Sequence, residues 1–197
     1  MSVLERPTVM YPPEPQKLWT VKEYHLLQRT GFLQGRYELI DGVIVEKLKQ
    51  TDRQSMYVRA LMCKLASIFS IEQLMVYMPI RIAGEAGQYL EPRPCIAISR
   101  EGYEEYDESP TPADTLLVVE VSEDASIPII ATLSNMYGAI GISEYWLVDI
   151  KQRRLRVHRK PSTLGGYEDV EEWIAGHSIA PLAKPESAIA LVDILLL

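Results

Sequence analysis

Glu91-Pro-Arg-Pro-Cys-Ile-Ala-Ile98 and Thr115-Leu-Leu-Val-Val-Glu-Val-Ser122 are two short apolar runs, and each predicts a buried strand. Both carry polar residues where a buried strand usually has none. If the two strands lie side by side, Cys95 and Glu120 come close together at one end of a sheet. Carboxylates on adjacent strands can form a divalent metal site, and here one of the two positions is a cysteine. The chemistry of the chain therefore depends on residue 95.

The composition is that of one globular domain. The chain has 197 residues, of which 47% are hydrophobic and 24% charged, enough for a sizeable core. The formal net charge of -7 argues against a strong non-specific nucleic-acid binder, which is normally basic. Cys63 and Cys95 form no CxxC pair, so neither a disulfide scaffold nor a structural zinc site is indicated.

The N-terminal segment is predicted to lie outside the folded domain. Four prolines within residues 1–18 indicate an extended arm, and residues 19–197 are expected to form a single domain. The sequence has no signal-peptide core and no apolar run near the roughly 20 residues that span a bilayer. We therefore expect a soluble, cytoplasmic protein without membrane contact.

The first part of this domain predicts a helix followed by a hairpin. Thr20 and Glu23 form a capping-box pattern at the start of a helix over about 21–29. Residues 36–47 predict a β-hairpin, because Asp41-Gly42 is a two-residue turn signal between apolar runs. Glu38 lies in the first strand of this hairpin. Its spacing alone favours an exposed charge on an edge strand over an acidic residue directed at a site.

The remaining segments alternate between helices and strands. An amphipathic helix is predicted over about 53–70, with Cys63 as a small core residue. Further helical spacing covers 125–140, and further strands are predicted at 74–82, 144–150, 154–160 and about 167–173. Together these elements predict an α/β fold in which a mixed β-sheet is flanked by helices, with hairpins at both ends.

Two features near the C-terminus leave alternatives open. Strict alternation places Arg154, Arg156, His158 and Lys160 on one strand face, which favours a solvent-exposed face over a stripe of phosphate contacts. The apolar tail, residues 189–197, is expected to be buried against the body of the protein or against a second subunit.

Five motifs occur together in one order and spacing: Trp19-Thr-Val-Lys-Glu-Tyr24, Tyr37-Glu-Leu-Ile-Asp-Gly42, Glu91-Pro-Arg-Pro94, Val119-Glu-Val-Ser122 and Gly141-Ile-Ser-Glu-Tyr-Trp-Leu-Val-Asp149. Their combination resembles the Uma-two-type family of restriction-endonuclease-like proteins, part of the PD-(D/E)XK nuclease superfamily. The resemblance covers about residues 19–170. It implies a restriction-endonuclease-like fold and, for an intact member, a metal-dependent nuclease.

The resemblance also implies which residues form the active site. Glu38 and Glu120 match the two glutamates of the family and are retained as remnants of its catalytic and metal-binding set. Cys95 stands where the family has an aspartate, Leu133 where it has a lysine, and Ile129 where it has a further aspartate.

Two other positions of the family pattern also differ. A histidine that often lies near the start of the second helix has no counterpart at 52–56. The lysine of the superfamily's E-x-K motif is replaced by Ser122.

These substitutions remove groups on which phosphodiester hydrolysis depends. Mg²⁺ prefers oxygen ligands in octahedral geometry, and the cysteine thiol at position 95 is unsuited to it. Leu133 can neither orient water nor stabilise transition-state charge. Glu38 and Glu120 without a metal would repel each other. Because Cys95, Ile129 and Leu133 are all compatible with an apolar interior, we expect the former site to have become ordinary core.

Three hypotheses follow. The first is a degenerate member without nuclease activity or cofactor that acts as a binding or scaffold module, binds DNA weakly and forms a homodimer. The second is an active Mg²⁺- or Mn²⁺-dependent DNA endonuclease, with Glu120 and Glu38 as metal ligands and a substitute cation from Arg93, Lys64 or Arg81. The third, and weakest, is a soft-metal or redox role for Cys95, because a lone buried cysteine is usually inert.

Overall fold

A computed structural model describes residues 17–47, 49–123 and 127–196, with backbone alone at 86 and 127–130. The arm predicted for residues 1–18 lies almost entirely outside the described residues. The α-helices are α1 (Val21–Arg29), α2 (Asp52–Ala66), α3 (Ile127–Ala139) and α4 (Val192–Leu195). The strands are β1 (Tyr37–Ile40), β2 (Val43–Glu46), β3 (Leu74–Val76), β4 (Ile96–Ser99), β5 (Thr115–Ser122), β6 (Glu144–Asp149), β7 (Arg154–Pro161), β8 (Tyr167–Ile174), β9 (Ser178–Ile179) and β10 (Ile189–Ala190).

A six-stranded mixed sheet with the order β3-β4-β5-β6-β7-β8 forms the centre of the fold. The pair β5–β6 is parallel, whereas β3–β4, β4–β5, β6–β7 and β7–β8 are antiparallel. A parallel pair needs a crossover connection, and α3 provides it between β5 and β6. The predicted α/β class with a mixed sheet and flanking helices is confirmed.

The helices cover both faces of this sheet. On one face α2 and α4 pack over β4–β7 in a large apolar cluster around Trp146. On the other face Tyr137 of α3 packs against Val118, Tyr145 and Leu147 in a second cluster. Alternate residues of the central strands therefore enter different cores, as the period of two in a strand requires.

Local sequence signals account for the helix starts. Thr20 accepts a hydrogen bond from the Glu23 backbone N–H, and the Glu23 carboxylate accepts one from the Thr20 backbone N–H, so the predicted capping box is present. Thr51 and Gln54 form the same arrangement at the start of α2.

Several local predictions are wrong. Cys63 is exposed, because α2 directs its apolar stripe, Leu61 and Leu65, at the sheet and turns Cys63 away from it. The strand predicted over 74–82 ends at Val76, since Tyr77 has a positive φ of 56°. His158 is buried between the rings of Tyr145 and Tyr167 and does not face solvent.

The rest of the basic strand face is neutralised by neighbouring carboxylates. Arg154 and Arg156 both form ion pairs with Glu172 on β8, and Lys160 pairs with Asp169. The face is therefore not a free stripe of cations.

The tail packs on the body of the protein. Leu191, Ile194 and Leu195 are buried in the cluster that α2 covers. Within the described ranges, no helix combines the length and hydropathy needed to traverse a lipid bilayer.

Candidate functional site around Glu38 and Glu120

The register of β4 and β5 brings residues 95 and 120 together. Ile96 pairs with Val119 in this antiparallel pair, so the preceding Cys95 faces the following Glu120. The Cys95 backbone N–H donates to Glu120 Oε2 at 3.3 Å. Both residues are buried. The juxtaposition expected from the two strand sequences is therefore present.

A second carboxylate reaches the same place from the β1–β2 hairpin. Leu39 and Glu91 form an isolated antiparallel bridge, which fixes the hairpin beside the segment that leads into β4. The backbone N–H of Arg93 donates to Glu38 Oε2 at 3.2 Å. Glu38 is only 6% exposed, so the interpretation of an exposed edge-strand charge is wrong. The acidic residue is directed at the site because this segment covers the hairpin.

Lys47, which the sequence analysis did not single out, lies between the two carboxylates. Its Nζ atom is 3.1 Å from Glu38 Oε2 and 3.5 Å from Glu120 Oε1, and it donates to the Arg93 carbonyl oxygen at 2.8 Å. A sequence signal for it existed. In the hairpin set by Asp41-Gly42, residue 38 pairs with residue 45, so residue 47, two positions on, shares the face of Glu38.

Helix α3 supplies one more partner of Glu120. The Tyr137 hydroxyl donates to Glu120 Oε1 at 2.9 Å, and both groups are buried. Leu133, one helical turn before Tyr137, borders the same site. Ile129 belongs to α3, but its side chain lies outside the described residues.

The electrostatics of the site follow from two acids in an enclosed place. Burial raises the pKa of Glu38 above its ordinary value; Lys47 opposes this rise and the Glu120 carboxylate adds to it. Burial alone would lower the pKa of Lys47, but Glu120 and Glu38 outweigh it and hold that pKa above its usual range. Lys47 is therefore a protonated ammonium at neutral pH.

The thiol of Cys95 is in the opposite situation. Burial, followed by the adjacent Glu120 carboxylate, raises the pKa of Cys95 well above its ordinary value. Because the thiolate is the nucleophile and the metal ligand, a protonated thiol is poorly suited to redox or soft-metal chemistry. The raised pKa of the buried Cys95 thiol therefore gives no support to a soft-metal or redox role for this residue.

The site opens into a cavity of about 530 Å³. Cys95, Glu120 and Leu133 line it together with Val45 and Val121. Its further polar lining residues are Arg36, Glu46, Lys49, Gln50, Thr51, Gln54, Ser122 and Glu123. The expectation that the former site had become ordinary core is therefore wrong. Cys95 packs in the core, but Glu38, Glu120 and Lys47 line an open cavity together with residues of β2, the start of α2 and the end of β5.

The three substitute cations considered from the sequence do not fill this role. The Arg93 guanidinium pairs with Glu91, Lys64 pairs with Asp193, and Arg81 pairs with Glu108. Arg93 contributes only backbone groups to the site. The cation that does reach the carboxylates is Lys47.

As it stands, the site does not fit a catalytic Mg²⁺ or Mn²⁺ ion. Among the described residues, no three His, Cys, Asp or Glu side chains are grouped so that they could hold a metal ion. The two carboxylates share an ammonium, and the third position offers a neutral thiol where a hard cation requires oxygen.

A comparison with models of protein families identifies the family of the chain. Residues 21–186, well over half of the chain, match Uma2, described as putative restriction endonuclease. The chain belongs to the Uma2 family. The resemblance inferred from the five motifs is confirmed, and with it the restriction-endonuclease-like class of the protein.

A solved relative shows the same fold. The crystal structure of a putative nuclease belonging to DUF820 from Anabaena variabilis aligns with a TM-score of 0.66 and 14% sequence identity, over 90% of this chain and 97% of that one. At this identity the likeness concerns the fold. No curated protein matches the chain.

Proposed function

We propose that this Uma2 protein does not cleave DNA and acts as a binding or scaffold module. One observation carries the proposal: the position beside Glu120 where a third carboxylate would complete a metal site holds the buried thiol of Cys95. Hydrolysis in this fold requires a divalent ion that activates water and neutralises developing charge. With a protonated thiol at position 95 and the ammonium of Lys47 between the two carboxylates, the wild-type site offers no complete ligand set to that ion.

The position of Leu133 supports the same proposal. This side chain borders the cavity near Glu120, where the family resemblance implies a lysine. An apolar side chain stabilises no charge on a phosphoryl group, and loss of one such donor costs about 10²–10³ in rate. The cavity itself remains open, and charged side chains stand among its apolar lining, which favours a retained binding role. DNA is the candidate ligand, bound weakly because the chain carries a net charge of -7.

The test is incubation of the purified protein with supercoiled plasmid and Mg²⁺ or Mn²⁺. The protein and the Glu120→Ala variant are both expected to leave the plasmid intact. Cleavage by the wild-type protein that disappears in Glu120→Ala would overturn the proposal. A gel-shift titration on the same plasmid at several salt concentrations measures the expected weak binding.

Lys47 favours a second candidate, a metal-dependent endonuclease that uses this residue as its substitute cation. Its ammonium lies 3.5 Å from Oε1 of Glu120, which lines the cavity, close enough to act on a bound phosphoryl group. Plasmid cleavage by the wild-type protein and by Lys47→Met separates the two candidates. The second candidate predicts that the wild-type protein cleaves the plasmid and that Lys47→Met does not. The first candidate predicts that neither protein cleaves it.

A further inference from the structure

Among the described residues, the ammonium of Lys47 contacts three oxygen atoms. They are Glu38 Oε2 at 3.1 Å, Glu120 Oε1 at 3.5 Å and the carbonyl oxygen of Arg93 at 2.8 Å. A lysine ammonium has three N–H donors and no acceptor. The Arg93 carbonyl oxygen accepts a hydrogen bond, the two carboxylates are ion-pair partners, and the lysine side chain is only 19% exposed.

This set of acceptors has the chemistry of a ligand set for a hard cation. Two carboxylate oxygens and one backbone carbonyl oxygen converge on a single positive charge, and these are the ligand types that Mg²⁺, Mn²⁺ and Ca²⁺ accept. The three oxygens come from separate segments: β1, β5 and the stretch that precedes β4. The fold therefore holds them together, and Lys47 reaches them from the end of β2.

The buried carboxylate pair of Glu38 and Glu120 also requires a nearby positive charge. Glu38 and Glu120 are both buried, and two ionised carboxylates in such a place repel each other. Arg93 and Cys95 each donate one backbone N–H to this pair, and Tyr137 donates its hydroxyl. These neutral donors add no positive charge, so among the described residues the positive charge that the pair contacts comes from Lys47.

We infer that Lys47 occupies, as a tethered cation, a latent divalent-metal site formed by Glu38, Glu120 and the Arg93 carbonyl oxygen. Removal of its ammonium opens this site to Mn²⁺. The inference rests on the proposed function in that the wild-type protein works without a resident metal. It concerns metal binding, whereas the proposed function concerns cleavage.

The test measures binding of Mn²⁺ alone by isothermal titration calorimetry and by electron paramagnetic resonance. Lys47→Met removes the charge and keeps most of the side-chain volume, whereas Lys47→Arg keeps the charge and is the matched control. We expect Lys47→Met to bind Mn²⁺ about tenfold or more tightly than the wild-type protein and Lys47→Arg, a difference of about 1.4 kcal/mol or more. The added substitution Glu120→Gln should abolish this binding, because it removes a ligand.

If Lys47→Met folds poorly, its thermal stability and circular dichroism with and without Mn²⁺ give a second measurement. Mn²⁺ that binds only the folded state stabilises it by mass action, so Mn²⁺ should raise the melting temperature of Lys47→Met, or restore its circular dichroism, and leave the Lys47→Arg control unchanged. Equal Mn²⁺ affinity in the wild-type protein and Lys47→Met would overturn the inference, as would binding that survives Glu120→Gln. Absence of both binding and rescue in Lys47→Met would also overturn it. Plasmid cleavage by the wild-type protein would overturn the proposed function, whereas the Mn²⁺ affinities of the wild-type protein and Lys47→Met decide the inference.

Discussion

Glu38 and Glu120 share one ammonium, so the charges on the site do not balance. Within the described part of the chain, one cation contacts two buried carboxylates. Lys47 favours the ionised form of Glu38, but burial and the second carboxylate act more strongly in the other direction. The pKa of Glu38 is therefore raised even though the residue has an ion-pair partner.

Because the pKa of Glu38 is raised in the folded protein, this residue makes the free energy of unfolding depend on pH. A carboxyl whose pKa is raised by folding contributes stability that is fully present below its unfolded pKa, near the ordinary 4.5. That contribution is lost as the pH rises through the folded-state pKa. Glu38→Gln mimics the protonated acid. It should match the wild-type protein near pH 4 and be more stable at pH 7, by about 1.4 kcal/mol for each unit of pKa difference.

Urea unfolding of both proteins at the two pH values measures this effect. Glu46→Gln, which changes an exposed carboxylate on the same hairpin, is the control and should show no such pH-dependent gain. If Glu38→Gln is less stable than the wild-type protein at pH 7, the ion pair with Lys47 outweighs burial and the pKa of Glu38 is lowered by folding.

Tyr137 and Tyr145 form a matched pair for the hydrogen bond to Glu120. The rings are in contact and fully buried, but only the Tyr137 hydroxyl reaches Glu120. The Tyr145 hydroxyl has no hydrogen-bond partner among the described residues. Tyr137→Phe should lower the free energy of unfolding by about 2 kcal/mol, as for other bonds to a charged group. Tyr145→Phe should not lower it, because this substitution removes a buried hydroxyl that makes no hydrogen bond. Equal losses in chemical denaturation would show that the hydroxyl contact to Glu120 contributes nothing.

The residues that sequence reasoning located are those fixed by a strand register. Cys95 and Glu120 are predictable as neighbours because two buried apolar strands that lie side by side bring these two positions to the same end of the sheet. Glu38 and Cys63 were assigned the wrong exposure, because their burial depends on which segment covers a hairpin or a helix face. The sequence does not predict the role of Lys47, because a charged residue after a strand usually faces solvent. Its ammonium is held at the site in part by the Arg93 carbonyl oxygen, which belongs to a segment distant in sequence.

At the scale of elements, the β1–β2 hairpin decides whether Glu38 and Lys47 meet. Its turn contains Asp41 and Gly42, both with positive φ, as a two-residue hairpin turn of this kind requires. The Gly42 carbonyl accepts from the Trp19 backbone N–H at 2.7 Å. The segment before α1 therefore lies directly against the turn.

Gly42→Ala should be more costly than its backbone conformation alone predicts. A Cβ at Gly42 would lie 2.8 Å from the Leu18 Cβ, at a φ of +76°; Gly84 has the same conformation, φ +77°, with nothing within 4 Å. Gly84→Ala should therefore cost about 1 kcal/mol for the left-handed conformation. Gly42→Ala should add overpacking and reach about 2–4 kcal/mol. Thermal unfolding measures both, and equal losses would mean that Leu18 moves aside freely.

Element boundaries were predictable where a local signal sets them. Helix α1 begins and ends at the predicted residues because a capping box opens it and the chain then leaves the helix at Thr30, before Gly31. Strand β3 is shorter than predicted, since the apolar pattern continues past Val76 while Tyr77 leaves the extended conformation. The ring of Tyr77 then packs under the Arg36 guanidinium, a tertiary contact that no local pattern encodes.

At the scale of the molecule, the edge of the sheet limits how two copies could associate. Strand β8 is an eight-residue edge strand whose exposed residues include Glu168, Glu171 and Glu172. Antiparallel pairing of two such edges would bring carboxylates together, a common way in which proteins prevent edge-to-edge association. The homodimer expected from the sequence stays a prediction, and this edge argues for an interface elsewhere.

The C-terminal tail could be buried against its own chain or against a second subunit, and its packing predicts a different result for each case. Leu195 is fully buried in the cluster under α2, and its carbonyl oxygen accepts from the Tyr57 hydroxyl at 3.4 Å, whereas the adjacent Leu196 is 51% exposed. Leu195→Ala should therefore lower the free energy of unfolding by about 3 kcal/mol. Leu196→Ala should lower it by less than about 0.5 kcal/mol. Urea unfolding at two protein concentrations, tenfold apart, gives the measurement. A tail held by the body makes the loss in Leu195→Ala independent of concentration, whereas a tail held by a second subunit would make the stability of the wild-type protein rise with concentration.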